Sequence, residues 1–443
     1  MNLKSIKSLG GGGFGIVDLV EDEQGNTFAR KTLSVSQPLP LQMVENVKKR
    51  FAREAKIQSG INHPNIVPVT YADVSADPPF YLMPQAICSL QDDLSADRTL
   101  GGNWLAAIND IAAALDELHS AGIYHRDLKP QNVLKYQRIN SNGPEFYYAV
   151  SDFGLIAMNE SRVSVLTVTG MAKGTDYYTA PEITSDLRLA SPQSDIYSLG
   201  CILHEVMSAN PRIPCNEIKE DGPYGAILRN CTRSDPDRRF RSVRSVLDAI
   251  VTVASGLPPV TTAAASEFAE KLASGELLDR ASWQSLVGYV EDNEGQPDSV
   301  AVLARLQFDQ IVNLCGSWLD LANRLALPYA EWVYSTPFNF DRCDSLANIL
   351  ELFVVHCSFE GKSDALMAML ELGTSHNRWY VERRLFSLCG PTMDEALAKR
   401  VAIEFRAAGD KVCRSISHLE ASISVSRLSL HPVLQQTLAE ICK

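Results

Sequence analysis

His125-Arg126-Asp127-Leu128-Lys129-Pro130-Gln131-Asn132 gathers a carboxylate, an ammonium and a carboxamide into one short run of chain. Just ahead of it Trp104, Ile108, Ile111, Leu115 and Leu118 recur at spacings of four and three, which predicts a helix over 103–120 with one buried face. Gly122 ends that helix and the chain turns straight into the polar run. Three more segments flank it in fixed order: Gly10-Gly11-Gly12-Gly13-Phe14-Gly15-Ile16-Val17, then Lys31, and after it Asp152-Phe153-Gly154. Residues 6–17 run apolar, glycine, apolar, which predicts strand, hairpin, strand. A dinucleotide-binding turn would start a helix directly after its glycines, whereas Ile16-Val17-Asp18-Leu19-Val20 continues as a strand. Val133 to Tyr136, a turn at Asn142-Gly143 and Phe146 to Val150 predict a second hairpin, which returns the chain to Asp152.

Composition sets outer limits on the reading. At 443 residues the chain exceeds one small core, and about 150 residues per domain suggests two or three domains. Hydrophobic content of 45% with 21% charged residues describes an ordinary globular protein. A net charge of -12 argues against a general nucleic-acid or anionic-membrane binder, which needs a basic surface. The ten cysteines show no Cys-x-x-Cys and no metal spacing, so they read as reduced, mostly buried thiols of a cytoplasmic protein. No run of 18 apolar residues is present, so no membrane span is expected.

In this order and at these separations the four segments resemble the eukaryotic-type serine/threonine protein kinases, over about residues 1–253. The resemblance implies an α+β, bilobal fold: an antiparallel sheet with one helix in the amino-terminal lobe, and a mostly helical second lobe. It implies ATP and Mg2+, with Mn2+ as an alternative ion, as cofactors, and protein substrates bearing serine or threonine. Gly10, Gly12, Gly15 and Val17 would close over the phosphates, and Ala29, Met83 and Ala86 would surround adenine. Lys31 would reach the α- and β-phosphates, held by Glu54 on a helix over 41–59; Glu54 is preferred to Glu45 because His63-Pro64-Asn65 follows it as in relatives. Asp127 would take the substrate hydroxyl's proton, Lys129 would neutralise the γ-phosphate, and Asn132 and Asp152 would hold metal, with Phe153 packing inward. Thr175 would bridge Asp127 and Lys129, and both it and Lys129 mark a serine/threonine enzyme. Arg126 is the fixed cation for a phosphorylated loop, with Thr167 and Thr169 as the expected autophosphorylation sites. Glu182 would pair with Arg239, and Asp195 would brace the loop around Asp127. One position departs from the family: four residues after Glu54, where relatives are apolar, stands Gln58.

Beyond residue 253 the resemblance ends. Residues 254–266, with two adjacent prolines, read as a linker. From 267 to 443 apolar residues return at helical spacing, with punctuation at Pro297-Asp298, Gly373 and a capping box at Thr392 and Glu395. This predicts seven to nine helices, as a bundle or a repeat array, serving regulation or recruitment of a protein partner. The alternative reading is a pseudokinase or scaffold whose helical half is the main binding module. Against it, Lys31, Asp127 and Asp152 are all in place.

Overall fold

The strands on either side of the glycine-rich segment begin the first layer of the fold. In the computed structural model, which describes residues 3–12, 15–34, 41–140, 143–153, 177–275, 277–339 and 342–442, five antiparallel strands lie in the order β1-β2-β3-β5-β4. They are β1 (Lys4–Gly12), β2 (Gly15–Glu21), β3 (Thr27–Leu33), β4 (Tyr71–Asp73) and β5 (Phe80–Pro84). Helix α1 (Leu41–Ser59) buries one face of Val47, Phe51, Glu54, Ala55 and Gln58, and Phe51 meets Tyr81 with ring centroids 5.2 Å apart. The chain divides into two compact units, 1–247 and 248–443.

The rest of the first unit is mostly helical. Short β6 (Cys88–Ser89) leads into α2 (Leu90–Ala96), capped by Ser89, and then into α3 (Trp104–Ser120), which buries Ile108, Ile111, Leu115 and Leu118 as their spacing requires. Gly122 beyond it has φ of +68°, a left-handed conformation that suits glycine. The predicted hairpin forms as β7 (Val133–Asn140) and β8 (Gly143–Val150), paired antiparallel in register. Then come α4 (Pro181–Ser185), α5 (Pro192–Met207), α6 (Gly225–Cys231) and α7 (Val243–Ala254), the last of which runs past residue 247 into the second unit. Helix α5 is buried continuously from Ser194 to His204, as a helix lacking a polar face must be.

Among the described residues, the second unit adds eleven helices rather than seven to nine. They are α8 (Ala263–Ala273), α9 (Arg280–Asp292), α10 (Pro297–Leu303), α11 (Phe308–Ser317), α12 (Leu319–Ser335), α13 (Arg342–His356), α14 (Phe359–His376), α15 (Trp379–Leu388), α16 (Glu395–Ala408), α17 (Asp410–Ser422) and α18 (Pro432–Ile441). Trp283, Tyr329 and Phe353 anchor their shared core.

Several sequence expectations change here. The linker is shorter than 254–266, because α7 runs to Ala254 and α8 starts at Ala263, capped by Thr262. Asp394, not Thr392, caps α16 by accepting from the N–H of Leu397. Gly373 does not stop a helix; it lies inside α14, where an added Cβ would come 3.1 Å from Cγ of Glu382 on α15. Cys413 and Cys442 are joined in a disulfide rather than being free thiols; the other eight cysteines are free. No helix among the described residues is long and apolar enough to cross a membrane.

Candidate active site

The site assembles around Lys31. On β3 this residue stands opposite Val17 of β2 and Tyr81 of β5, and a Cβ added to Gly15 would lie 3.5 Å from the lysine's own side chain. Lys31 Nζ donates to Glu54 Oε1 at 2.9 Å and to Asp152 Oδ1 at 2.7 Å. Glu54 is 1% exposed and also accepts from Tyr81 Oη at 2.9 Å. Burial pushes the Glu54 carboxyl above its usual range, and the Lys31 ammonium only partly offsets that. Burial likewise opposes charge on Lys31, but Asp152, Tyr81 and Glu54 together hold its pKa well above the ordinary lysine value. At Asp152 burial raises the carboxyl while Lys31 pulls it lower, and the ammonium prevails.

The second half of the site is the loop after α3. Asp195, at the start of α5, accepts from the backbone N–H groups of His125 at 2.8 Å and Arg126 at 2.9 Å, and it pairs with His119 Nε2 at 2.8 Å. Those three contacts hold Arg126 at φ of +68°, a conformation non-glycine residues seldom adopt unaided. His125 is fully buried, and burial lowers its pKa. Its Nε2–H donates to the Ser151 carbonyl at 3.0 Å and its Nδ1 accepts from the Asp127 N–H at 3.3 Å. Phe153 packs edge-on against the same ring, with centroids 5.7 Å apart. The imidazole therefore ties the Asp127 loop to the segment that carries Asp152, itself at φ of +59°.

On this frame Lys129 Nζ donates to Asp127 Oδ2 at 2.8 Å, and Asn132 Nδ2 donates to the same oxygen at 3.1 Å and to the Asp127 carbonyl at 2.8 Å. Asn132 thus spends its nitrogen on Asp127 and keeps its amide oxygen for another partner. Ala29 and Met83 face each other across β3 and β5, both buried, and half-buried Ala86 packs against the core cluster that holds Met83. Gly12 pairs with Gly15 and Gly10 with Val17 where β1 turns into β2. Below the loop, Arg239 forms two parallel bonds to Glu182, at 2.7 and 2.8 Å, with Ser194 adding a third at 2.9 Å. Arg212 lies against the rings of Tyr177 and Tyr178, 4.3 and 4.5 Å from their centroids. Thr167, Thr169 and Thr175 lie outside the described residues.

Sequence reasoning missed three groups that this geometry brings in: Tyr81 on Glu54, His119 on Asp195 and the double role of His125. Only His125 carried a local signal, since it stands two residues before Asp127 in the polar run. The other two depend on register and on a contact across 76 positions of chain.

A model of the protein kinase domain matches residues 3–289, more than half of the chain and further than the motifs alone carried the resemblance. The chain belongs to the protein kinase family. It is 30% identical over 307 residues to the serine/threonine-protein kinase PknD of Chlamydia felis, covering 58% of this chain and 31% of that protein. It is 31% identical over 228 residues to pkn3 of Myxococcus xanthus, covering 49% and 40% respectively. With AfsK of Streptomyces griseus the identity is 35% over 199 residues, 44% of this chain and 23% of that one. The chain spans less than half the length of these relatives.

Proposed function

We propose that this chain is an ATP-dependent serine/threonine protein kinase. The observation that carries the reading is the Lys31 ammonium bonded to Glu54 and Asp152 at once, in a protein whose Asp127 is held by Lys129 and Asn132. Lys31 holds the α- and β-phosphates beneath Gly10, Gly12, Gly15 and Val17, and Ala29, Met83 and Ala86 receive adenine. Asp127 orients the substrate hydroxyl and accepts its proton; a loose phosphoryl-transfer transition state asks more for this positioning than for base strength. Lys129 and Thr175 place the γ-phosphate and the hydroxyl. The oxygens of Asp152 and Asn132 suit a hard divalent cation, Mg2+ or Mn2+. Such an ion would neutralise charge on the nucleotide's phosphates.

The test is transfer of γ-phosphate to a serine/threonine peptide, beside an Asp127→Asn variant. That variant should lose about 10² to 10⁴ in rate with little change in melting temperature. Equal rates in the two proteins would sink the reading.

Autophosphorylation at Thr167 or Thr169 belongs to the same proposal. Arg126 Nε is buried without a hydrogen-bond partner among the described residues, and a loop phosphate would supply one. Phosphopeptide mapping after incubation with Mg-ATP should find one of the two modified. For the domains we propose a kinase unit over 1–254 and a regulatory or recruiting helical unit over 263–443. Removal of 255–443 followed by the same assay tests whether the second half restrains the first.

A further inference from the structure

We infer that Gln58 is a positioning residue for Lys31, because it closes a ring of contacts passing through both carboxylates on that lysine; the inference rests on the kinase reading above. Gln58 lies one helical turn beyond Glu54 on α1 and is 0% exposed. Its Nε2 donates to the Val67 carbonyl at 2.8 Å. The N–H of Val67 in turn donates to the Val150 carbonyl at 3.0 Å, and the N–H of Val150 donates to the Asn65 carbonyl at 2.8 Å. Two residues past Val150 comes Asp152, which takes Lys31, and Lys31 returns to Glu54. Helix, loop, hairpin strand and lysine thus form one closed circuit, in which Gln58 is the side-chain link from α1 to the Val67 segment.

The amide comes at a cost that argues for this role. Gln58 Oε1 is buried with no hydrogen-bond partner among the described residues. A buried carbonyl without a donor is destabilising, and an apolar side chain of similar length would pack there without that penalty. What the amide supplies instead is the donor to Val67, with a second contact from Nε2 to Met83 Sδ at 3.9 Å. A displacement of α1 is therefore felt both at Glu54 and beside the wall formed by Ala29 and Met83. Gln58 acts on nucleotide through these neighbours.

The experiment compares full-length wild type, Gln58→Leu and Gln58→Glu. Two quantities are read: the ATP dependence of phosphate transfer to a serine/threonine peptide, and the rise in melting temperature on adding Mg-ATP. Gln58→Leu removes the orphaned Oε1 but leaves the Val67 carbonyl without its donor, so the ligand-free melting temperature should change little, while kcat/KM for ATP falls on the order of tenfold and the ATP-induced rise shrinks. A merely structural role would instead leave activity following stability. Gln58→Glu, relative to wild type at each pH, should be weakest at high pH and recover as pH falls, since only a protonated carboxyl can donate to the Val67 carbonyl. Wild-type kinetics with a wild-type ATP response in Gln58→Leu would overturn the inference. A Gln58→Glu profile parallel to wild type would do so as well, and it decides the matter if Gln58→Leu does not fold. Should wild type move no phosphate, the ATP-induced rise still decides the role of Gln58, and only the transferase reading falls.

Discussion

Lys31 serves two carboxylates in unequal surroundings: Glu54 is enclosed, while Asp152 keeps about a third of its side chain exposed. Removing the ammonium therefore strands one charge far more than the other. Lys31→Met should lower the stability of the first unit by about 3–5 kcal/mol, the usual cost of leaving a buried charge uncompensated, and Lys31→Met with Glu54→Gln should recover most of that loss. The pH dependence has a definite sign. The Glu54 carboxyl already lies above its reference value of 4.5 because of burial, and it rises further once the ammonium is gone. An acid with a raised folded pKa costs stability as pH climbs from the unfolded value through the folded one. Lys31→Met should thus be closer to wild type at about pH 5 than at about pH 7.5, measured as urea midpoints. A constant difference between the two pH values would contradict this assignment of the buried charge.

Between elements, what counts is how closely backbones approach. Gly200 lies in the middle of α5, where an added Cβ would come 2.4 Å from Cβ of Cys231 and 3.1 Å from Cγ2 of Thr232 at the end of α6. Neither atom is the loose end of a long side chain, so Gly200→Ala should cost about 1–3 kcal/mol and lower the melting temperature of the first unit by roughly 5 °C. An unchanged melting temperature would mean that α6 is free to shift. That glycine was legible in the sequence only as part of an apolar helix; its neighbour is 31 positions away and no local pattern names it. Elements whose signals are local were read well: α1, α3, the two hairpins and the end of α3 at Gly122 fall where spacing and glycine put them. Helix counting failed in the second unit for the opposite reason. Leu303, Leu306, Ile311, Leu314, Trp318 and Leu321 read as one periodic stretch, yet they span α10, α11 and α12, with Trp318 alone between the last two. Periodicity continues across a one-residue break when both helices face the same core. Gly373 misled in the same way, since its small size serves contact with α15 rather than termination. At the site, Lys31, Glu54, Asp127, Asn132, Asp152, Asp195 and the Glu182–Arg239 pair come together where motif spacing puts them, and Gln58 stood out by its spacing of four from Glu54, whereas the Tyr81 bond to Glu54 depends on which side chains the strand register turns inward.

Across the whole molecule, the candidate site around Lys31 and the disulfide lie in different compact units, each with its own core. That separation makes a paired perturbation informative. A ligand binding only the folded first unit raises its stability by mass action, by about 2.7 kcal/mol at a hundredfold excess over Kd. The bond between Cys413 and Cys442 closes a separation of 29 residues, and tying a loop of that length restrains the unfolded second unit by about 3–4 kcal/mol. Calorimetry of the full chain should accordingly resolve two transitions. Mg-ATP should raise one and leave the other in place, while a thiol reductant should lower the second alone, matched by Cys413→Ser with Cys442→Ser. A single transition moved by both additions would mean that the two cores unfold together, and the second half would then influence the kinase through shared stability rather than as a separate module.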